Sequence, residues 1–200
     1  DSMDYTEMAD DVAELAASLN HTSINLLGHS MGGKTAMAMA LQYPTIFKHL
    51  IVVDIAPVMY NPKHDELITG MQALPVGELA SRAEASEQLA RDINDPVLRQ
   101  FLLQNLVKDE KAGYRWRINL EAIRRNYEKL RSFPQKLREL KFPGPSLFLT
   151  GSQSGYVLPE HHESISAYFP EAKLVTIEGA GHWVHADKPE AMAAEVRKFL

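Results

Sequence analysis

Five residues, Gly28-His29-Ser30-Met31-Gly32, restrict the fold of this chain more than any other stretch. They follow a short apolar run at residues 24–27 and open a helical pattern over Met31–Gln42. A serine between two glycines at a strand-to-helix junction marks a very tight turn. The chain passes close to itself there, and side chains at Gly28 and Gly32 are expected to collide. The serine is held in a strained conformation with its hydroxyl above the sheet edge. The helix that follows aims its N-terminus at the reacting carbonyl, so the Met31 N–H is expected to help hold an oxyanion. Such a turn needs a sheet with helices packed on it.

The rest of the chain supplies those elements. Tyr5, Met8, Val12, Leu15 and Leu19 recur at helical spacing, with Asp4 and Glu7 resembling a capping box at the start. Residues 49–55 centre on Leu50-Ile51-Val52-Val53, a run that fits a strand buried on both faces of a parallel sheet. The texture then changes. Residues 59–141 carry Glu, Arg, Gln, Leu and Ala in helical phases, with the clearest helices at 86–91, 96–107 and 120–130. Strand signals return at 146–150 and 173–177, with a helix between them at 159–169 and another opened by Pro189-Glu190. The order is α-β-α-β, insertion, β-α-β-α. The fold class is therefore α/β: an open, mostly parallel sheet with a helical cap inserted into it. Residues 1–58 form the first part of the core, 59–141 the insertion and 142–200 the second part.

A second pattern overlies the first. Gly28, Gly33, Lys34 and Thr35 satisfy the phosphate-binding G-x-x-x-x-G-K-[ST] spacing, and Asp54 ends an apolar strand as a magnesium-binding aspartate would. That nucleotide reading explains Lys34 and Thr35 but leaves Gly179-Ala180-Gly181-His182 without a purpose. If Ser30 is instead a nucleophile on a tight turn, Gly33 allows close packing, and Lys34 is expected to be solvated.

A serine nucleophile needs a base within hydrogen-bond reach. Of the 8 histidines, His182 stands in a glycine-flanked loop just after a strand, where open-sheet sites form. His185 reads as an ordinary loop or helix-start residue, and His161 and His162 as solvent-facing. No third converging ligand suggests a metal. The loop after strand 146–150 reads Gly151-Ser152-Gln153-Ser154-Gly155-Tyr156-Val157 and holds no acid. The carboxylate that orients the imidazole is then Asp54, at a strand end beside the nucleophile strand, or Glu160, in the first turn of the next helix. Asp54 is favoured, which gives the chain order Ser30, Asp54, His182. Its alternative role is to cap the turn at residues 55–57. The expected substrate pocket comprises His29, Trp116, Tyr156, Val157 and Trp183.

Composition removes other classes. Lys plus Arg is 21 against 26 Asp plus Glu, a net charge of -5, which is the wrong sign for general nucleic-acid binding. The absence of cysteine excludes a thiol nucleophile, disulfides and thiolate metal sites, and is compatible with a cytoplasmic location. No apolar run is long enough to span a membrane. No cofactor is called for. Residues 108–141 hold 11 Lys and Arg against 5 Asp and Glu, a basic stretch that fits either an anionic leaving group such as coenzyme A or, preferably, a solvated helical face.

Leu27-Gly28-His29-Ser30-Met31-Gly32-Gly33, Val53-Asp54-Ile55-Ala56-Pro57 and Gly179-Ala180-Gly181-His182-Trp183-Val184-His185 together resemble the α/β-hydrolase superfamily. More narrowly they are similar to its small bacterial acyl esterase and thioesterase branch, related to the mitochondrial abhydrolase-domain-11 proteins. Trp116-Arg117, Asn119-Leu120, Ile123, Tyr127 and Phe133-Pro134 resemble the cap of that branch. The resemblance implies a serine hydrolase acting on a small acyl ester or thioester, with its acid where Asp54 stands. It also implies N-terminal strands that are missing before Asp1, and with them a second oxyanion donor absent from this chain. A carbon–carbon bond hydrolase using the same three residues and an inactive interaction protein are the remaining alternatives.

Overall fold

The computed structural model describes residues 2–109 and 113–200. Its chain divides into two compact units, one formed by residues 60–131 and the other by 2–59 with 132–200.

The larger unit is built on a four-stranded parallel sheet in the order β1-β2-β5-β6. Its strands are β1 (Ile24–His29), β2 (Phe47–Val53), β5 (Ser146–Gly151) and β6 (Ala172–Ile177). β5 is buried throughout and β2 from Leu50 onward, while β1 and β6 are partly exposed. That explains the continuous apolar runs of the two inner strands. On one face Ile51, Val53, Leu147, Leu149 and Ile177 pack with Val184 and Met192. Elsewhere the Phe148 and Phe142 rings lie near Phe169, and Phe47 lies near Phe142.

Helix α1 (Tyr5–Ser18) is capped by Asp4, whose carboxylate accepts from the Thr6 N–H at 3.0 Å and the Thr6 hydroxyl at 2.7 Å. The cap is therefore closed by Thr6 rather than by Glu7. Helix α2 (Met31–Gln42) follows Ser30, joins β1 to β2, and is tied to α1 where the Gln42 amide donates to Asp10 at 2.8 Å. β2 ends at Val53, two residues before the expected end, because Asp54 takes a positive φ of 52° and leaves the sheet.

The inserted unit has its own core of Met71, Leu74, Leu79, Ala85, Leu89, Ile93, Leu103, Leu106 and Leu120. It carries α3 (Asp65–Ala73), α4 (Arg82–Leu89) and α5 (Pro96–Leu103), then an antiparallel pair of strands, β3 (Leu106–Asp109) and β4 (Gly113–Trp116). Neither this strand pair nor α3 is visible in the sequence pattern. Leu106 and Val107 continue the apolar period of α5, yet the helix stops at Leu103. Glu110, Lys111 and Ala112, which belong to the basic stretch, lie outside the described residues. The helix expected over 120–130 is two pieces, α6 (Leu120–Arg125) and α7 (Tyr127–Arg131). They part at Asn126, whose side chain donates to the Ala122 carbonyl at 2.8 Å and competes with the helical ladder.

The chain re-enters the larger unit at Ser132, earlier than the expected boundary after residue 141. Phe133 and Leu137 are buried, and the Phe133 ring lies 5.3 Å from that of Tyr168 on α8 (His162–Tyr168). The chain ends with α9 (Val184–Asp187) and α10 (Pro189–Phe199). Among the described residues, no helix is long and apolar enough to cross a membrane.

Candidate active site

Ser30 sits between β1 and α2 with φ 54° and ψ -119°, a region that non-glycine residues rarely occupy. Such strain costs about 1–3 kcal/mol and persists only when the surroundings enforce it. A Cβ on Gly28 would stand 2.2 Å from the Gly32 carbonyl oxygen, so glycine is obligatory there. The expectation for Gly32 is corrected: a Cβ there would meet nothing within 4 Å. The second close approach is at Gly33, where a Cβ would lie 2.6 Å from the Ile55 side chain.

Ser30 occupies the N-cap position of α2 but makes no capping bond with its side chain. A serine cap is ordinarily worth about 1 kcal/mol. Here the hydroxyl instead lies 3.1 Å from Nε2 of His182. The other ring nitrogen of His182, Nδ1, lies 2.7 Å from Oδ2 of Asp54. Asp54 is fully buried and accepts two further bonds on Oδ1, from the Thr150 hydroxyl at 2.8 Å and the Gly151 N–H at 3.2 Å. The Ser154 hydroxyl donates to Oδ2, alongside His182. Ser154 in turn accepts from the Tyr156 N–H at 3.2 Å. Four donors therefore satisfy one buried carboxylate, which an apolar interior would otherwise penalise heavily.

Thr150 and Ser154 were not singled out by the sequence. The available signal was the acid-free but hydroxyl-rich loop after β5. Gly151 belongs to the same device: a Cβ there would lie 2.3 Å from the Gly181 carbonyl, so only glycine lets the β5 end approach the His182 loop.

Two rings flank the His182 imidazole. Tyr156 stacks on it at 4.0 Å with an interplanar angle of 22°, and His29 lies 4.7 Å away. The His29 Nε2–H donates to the His182 carbonyl at 2.8 Å, which fixes the loop carrying the imidazole. Burial pushes the His29 pKa down, and the adjacent His182 and His185 rings act in the same direction against the hydrogen bond. Among the described residues, no cluster of His, Cys, Asp or Glu could hold a metal ion.

The other nominated residues divide. Val157 is buried and Trp183 half-buried at the start of α9. Trp116 belongs to the inserted unit, where its indole N–H donates to the Met71 carbonyl at 3.0 Å. Met31 is the first residue of α2, so its N–H is one of the helix's initial donors without an intrahelical acceptor. Glu160 is exposed, in a single 3-10 turn. His162 and His185 are exposed, but His161 is not: it is tucked in, with Nδ1 3.1 Å from the Tyr156 carbonyl.

The nucleotide reading fails on geometry. Lys34 is buried rather than solvated, and its ammonium donates to the Val58 and Ser132 carbonyls at 3.0 and 2.6 Å. The Thr35 hydroxyl donates to the Met31 carbonyl at 3.2 Å. Neither group is offered to a phosphate. Five cations of the basic stretch, Arg115, Arg124, Arg125, Arg131 and Arg138, are each paired with an acid.

Residues 1–189 match the family profile described as alpha/beta hydrolase fold. The chain is 41% identical over 203 residues to the sn-1-specific diacylglycerol lipase ABHD11 of Mus musculus, covering 98% of this chain and 65% of the relative. It is 33% identical over 202 residues to Esterase YbfF of Escherichia coli, covering 99% of this chain and 75% of the relative. A solved marine microorganism esterase superposes with a TM-score of 0.94 at 40% identity, over 100% of this chain and 78% of that one. The chain thus spans about 65% of the length of the ABHD11 relative.

Proposed function

Because this chain belongs to the α/β-hydrolase fold family, we propose that it is a serine hydrolase that cleaves carboxylic esters or acyl thioesters through an acyl-enzyme. The observation that carries the reading is the continuous line from the Ser30 hydroxyl through both nitrogens of His182 to the Asp54 carboxylate. The esterase and lipase names of its relatives point to the same bond type.

In the proposed cycle, His182 Nε2 takes the Ser30 proton as Oγ attacks the acyl carbonyl. The Met31 N–H donates to the tetrahedral oxyanion. Asp54 holds the imidazole in the tautomer with Nδ1–H and stabilises the imidazolium, which then protonates the leaving alkoxide or thiolate. Water attacks the acyl-Ser30 ester with His182 again as base, and Ser30 recovers its proton. Tyr156 and His29 keep the ring from turning, because one face is stacked and the supporting loop is pinned. His29, Tyr156, Val157 and Trp183 are assigned to the substrate pocket. The ion pairs of the basic stretch support a solvated face over a docking site for an anionic leaving group. A cytoplasmic location accompanies the proposal, and the lack of cysteine is compatible with such a reducing compartment.

The test is covalent labelling by a fluorophosphonate followed by peptide mapping. Label on Ser30 in the parent protein, and its loss in Ser30→Ala, is the expected result. Label retained at a different residue in Ser30→Ala overturns the proposal.

A further inference from the structure

One buried cation has no part in the proposed chemistry. Lys34 lies on α2 one turn past Ser30 and is 1% exposed. Its backbone N–H donates to the Ser30 carbonyl at 3.1 Å, so it belongs to the turn that carries the nucleophile. Its ammonium donates to the Val58 carbonyl at 3.0 Å and to the Ser132 carbonyl at 2.6 Å. The Tyr5 ring of α1 lies 5.6 Å from Nζ. Burial pulls the Lys34 pKa from 10.5 to about 7.

The two acceptors are far apart in sequence, but they share a role in the chain path. Val58 stands just before the inserted unit begins at Tyr60, and Ser132 is the first residue after it ends at Arg131. Beyond the ammonium the two crossings bond to each other. The Tyr60 N–H donates to the Arg131 carbonyl at 2.8 Å, and an Arg131 guanidinium N–H donates to the Tyr60 carbonyl at 2.7 Å. Val58 lies in the segment that follows Asp54, where its N–H donates to the Ala56 carbonyl at 2.9 Å, so one side chain ties the nucleophile helix to the segment after the acid and to the returning chain. A methionine would fill the same space without the cost of desolvating a charge. It would not supply the two hydrogen bonds to the Val58 and Ser132 carbonyls.

We infer that Lys34 is a positioning residue that pins both chain crossings of the inserted unit to the nucleophile helix. Asp54 keeps its own donors without Lys34, so the chemical step does not depend on the pin. Freed crossings leave the protein competent to bind for only a fraction of the time, and apparent affinity falls by that fraction. The kinetic part of this inference rests on the hydrolase proposal; the structural part does not.

The test compares the parent protein with Lys34→Met. Trypsin reports directly on the pin, because the Arg131–Ser132 bond lies at the returning crossing and is cut only when that segment opens. Cleavage there is expected to accelerate by about tenfold or more in Lys34→Met, a change that corresponds to roughly 1.4 kcal/mol of lost protection. With an ester substrate, KM is expected to rise about threefold or more while kcat stays within about twofold, whereas general misfolding lowers kcat as well. A folded Lys34→Met cut at Arg131 no faster than the parent overturns the inference. If the variant does not fold, amide exchange in the parent decides: slow exchange at Tyr60, comparable to α2, supports the pin, and exchange at the unprotected rate refutes it. The trypsin and amide-exchange readouts need no substrate, so failure of the pin and failure of the hydrolase proposal remain distinguishable.

Discussion

Asp54→Asn separates an orienting carboxylate from a merely buried one. The carboxylate accepts from Thr150 and Gly151 on Oδ1 and from Ser154 and His182 on Oδ2. Asparagine must place its NH2 on one of these sides. On the Oδ1 side it would face the Gly151 N–H, which cannot turn away or accept, and an unsatisfied buried donor costs about 1–3 kcal/mol. On the other side it would face a hydroxyl that can rotate and an imidazole that can change tautomer. The amide nitrogen therefore settles toward His182, Nδ1 becomes an acceptor, and Nε2 carries a proton toward Ser30. That nitrogen can no longer take the serine proton. A wrong-tautomer imidazole lowers kcat by about 10⁴-fold in serine hydrolases, or roughly 5.5 kcal/mol of transition-state stabilisation. The assay is turnover of an activated ester together with the rate of phosphonate labelling, both falling by this order while the protein stays folded. The reasoning is refuted if Asp54→Asn remains within about tenfold of the parent. The same assays on Glu160→Gln should show no change, since that carboxylate is exposed and lies 4.0 Å from His161 as its nearest ion-pair partner.

Gly28→Ala should abolish labelling and soluble folding, because its Cβ would fall 2.2 Å from the Gly32 carbonyl, whereas Gly32→Ala has open space and should still be labelled; circular dichroism and labelling of both variants check this. His29→Phe removes the bond to the His182 carbonyl and should reduce kcat/KM by about tenfold, the equivalent of one typical hydrogen bond of about 1.4 kcal/mol. For Lys34, the folded pKa of about 7 lies below the unfolded 10.5, so between these values the unfolded chain binds more protons and stability rises with pH. Urea midpoints from pH 7 to 10 should show a rising contribution that Lys34→Met lacks, and identical profiles would contradict the burial of a titrating amine.

What the sequence made legible was local. Gly28 to Gly32 announce a turn because the requirement lies within five residues, and the inner strands announce themselves because burial on both faces leaves no polar alternation at Leu50–Val53 or Leu147–Leu149. The bonds that gather around Asp54 were not legible. Thr150 and Ser154 lie 96 and 100 positions from it, and nothing in their neighbours tells a buried donor from an exposed hydroxyl. Lys34 shows the same limit in reverse. Beside Gly33 and Thr35 it reads as a solvated or phosphate-binding lysine, and only the return of the chain at Ser132 supplies the second carbonyl that lets it stay buried. The β3–β4 pair was hidden because four-residue strands are too short for a period to outweigh the helix before them.

The strain at the site and the order of the sheet are one construction. Each inner ladder continues one step past its strand: the Ser30 N–H donates to the Val53 carbonyl, the Asp54 N–H to Leu149, and the Ser152 N–H to Ile177. These bonds run β1 to β2, β2 to β5 and β5 to β6, in the spatial order of the sheet. Ser30 and Asp54 have positive φ values of 54° and 52°, and each is held in that conformation by a backbone bond to the next strand. The carboxylate then emerges between the nucleophile strand and β5, where the Thr150 and Ser154 hydroxyls reach it. An acid placed after β5 would stand one strand farther from Ser30 and would leave those hydroxyls without a carboxylate to serve. Because the backbone of the sheet carries this arrangement, removing the Ser30 hydroxyl should leave the bond between Asp54 and His182 in place.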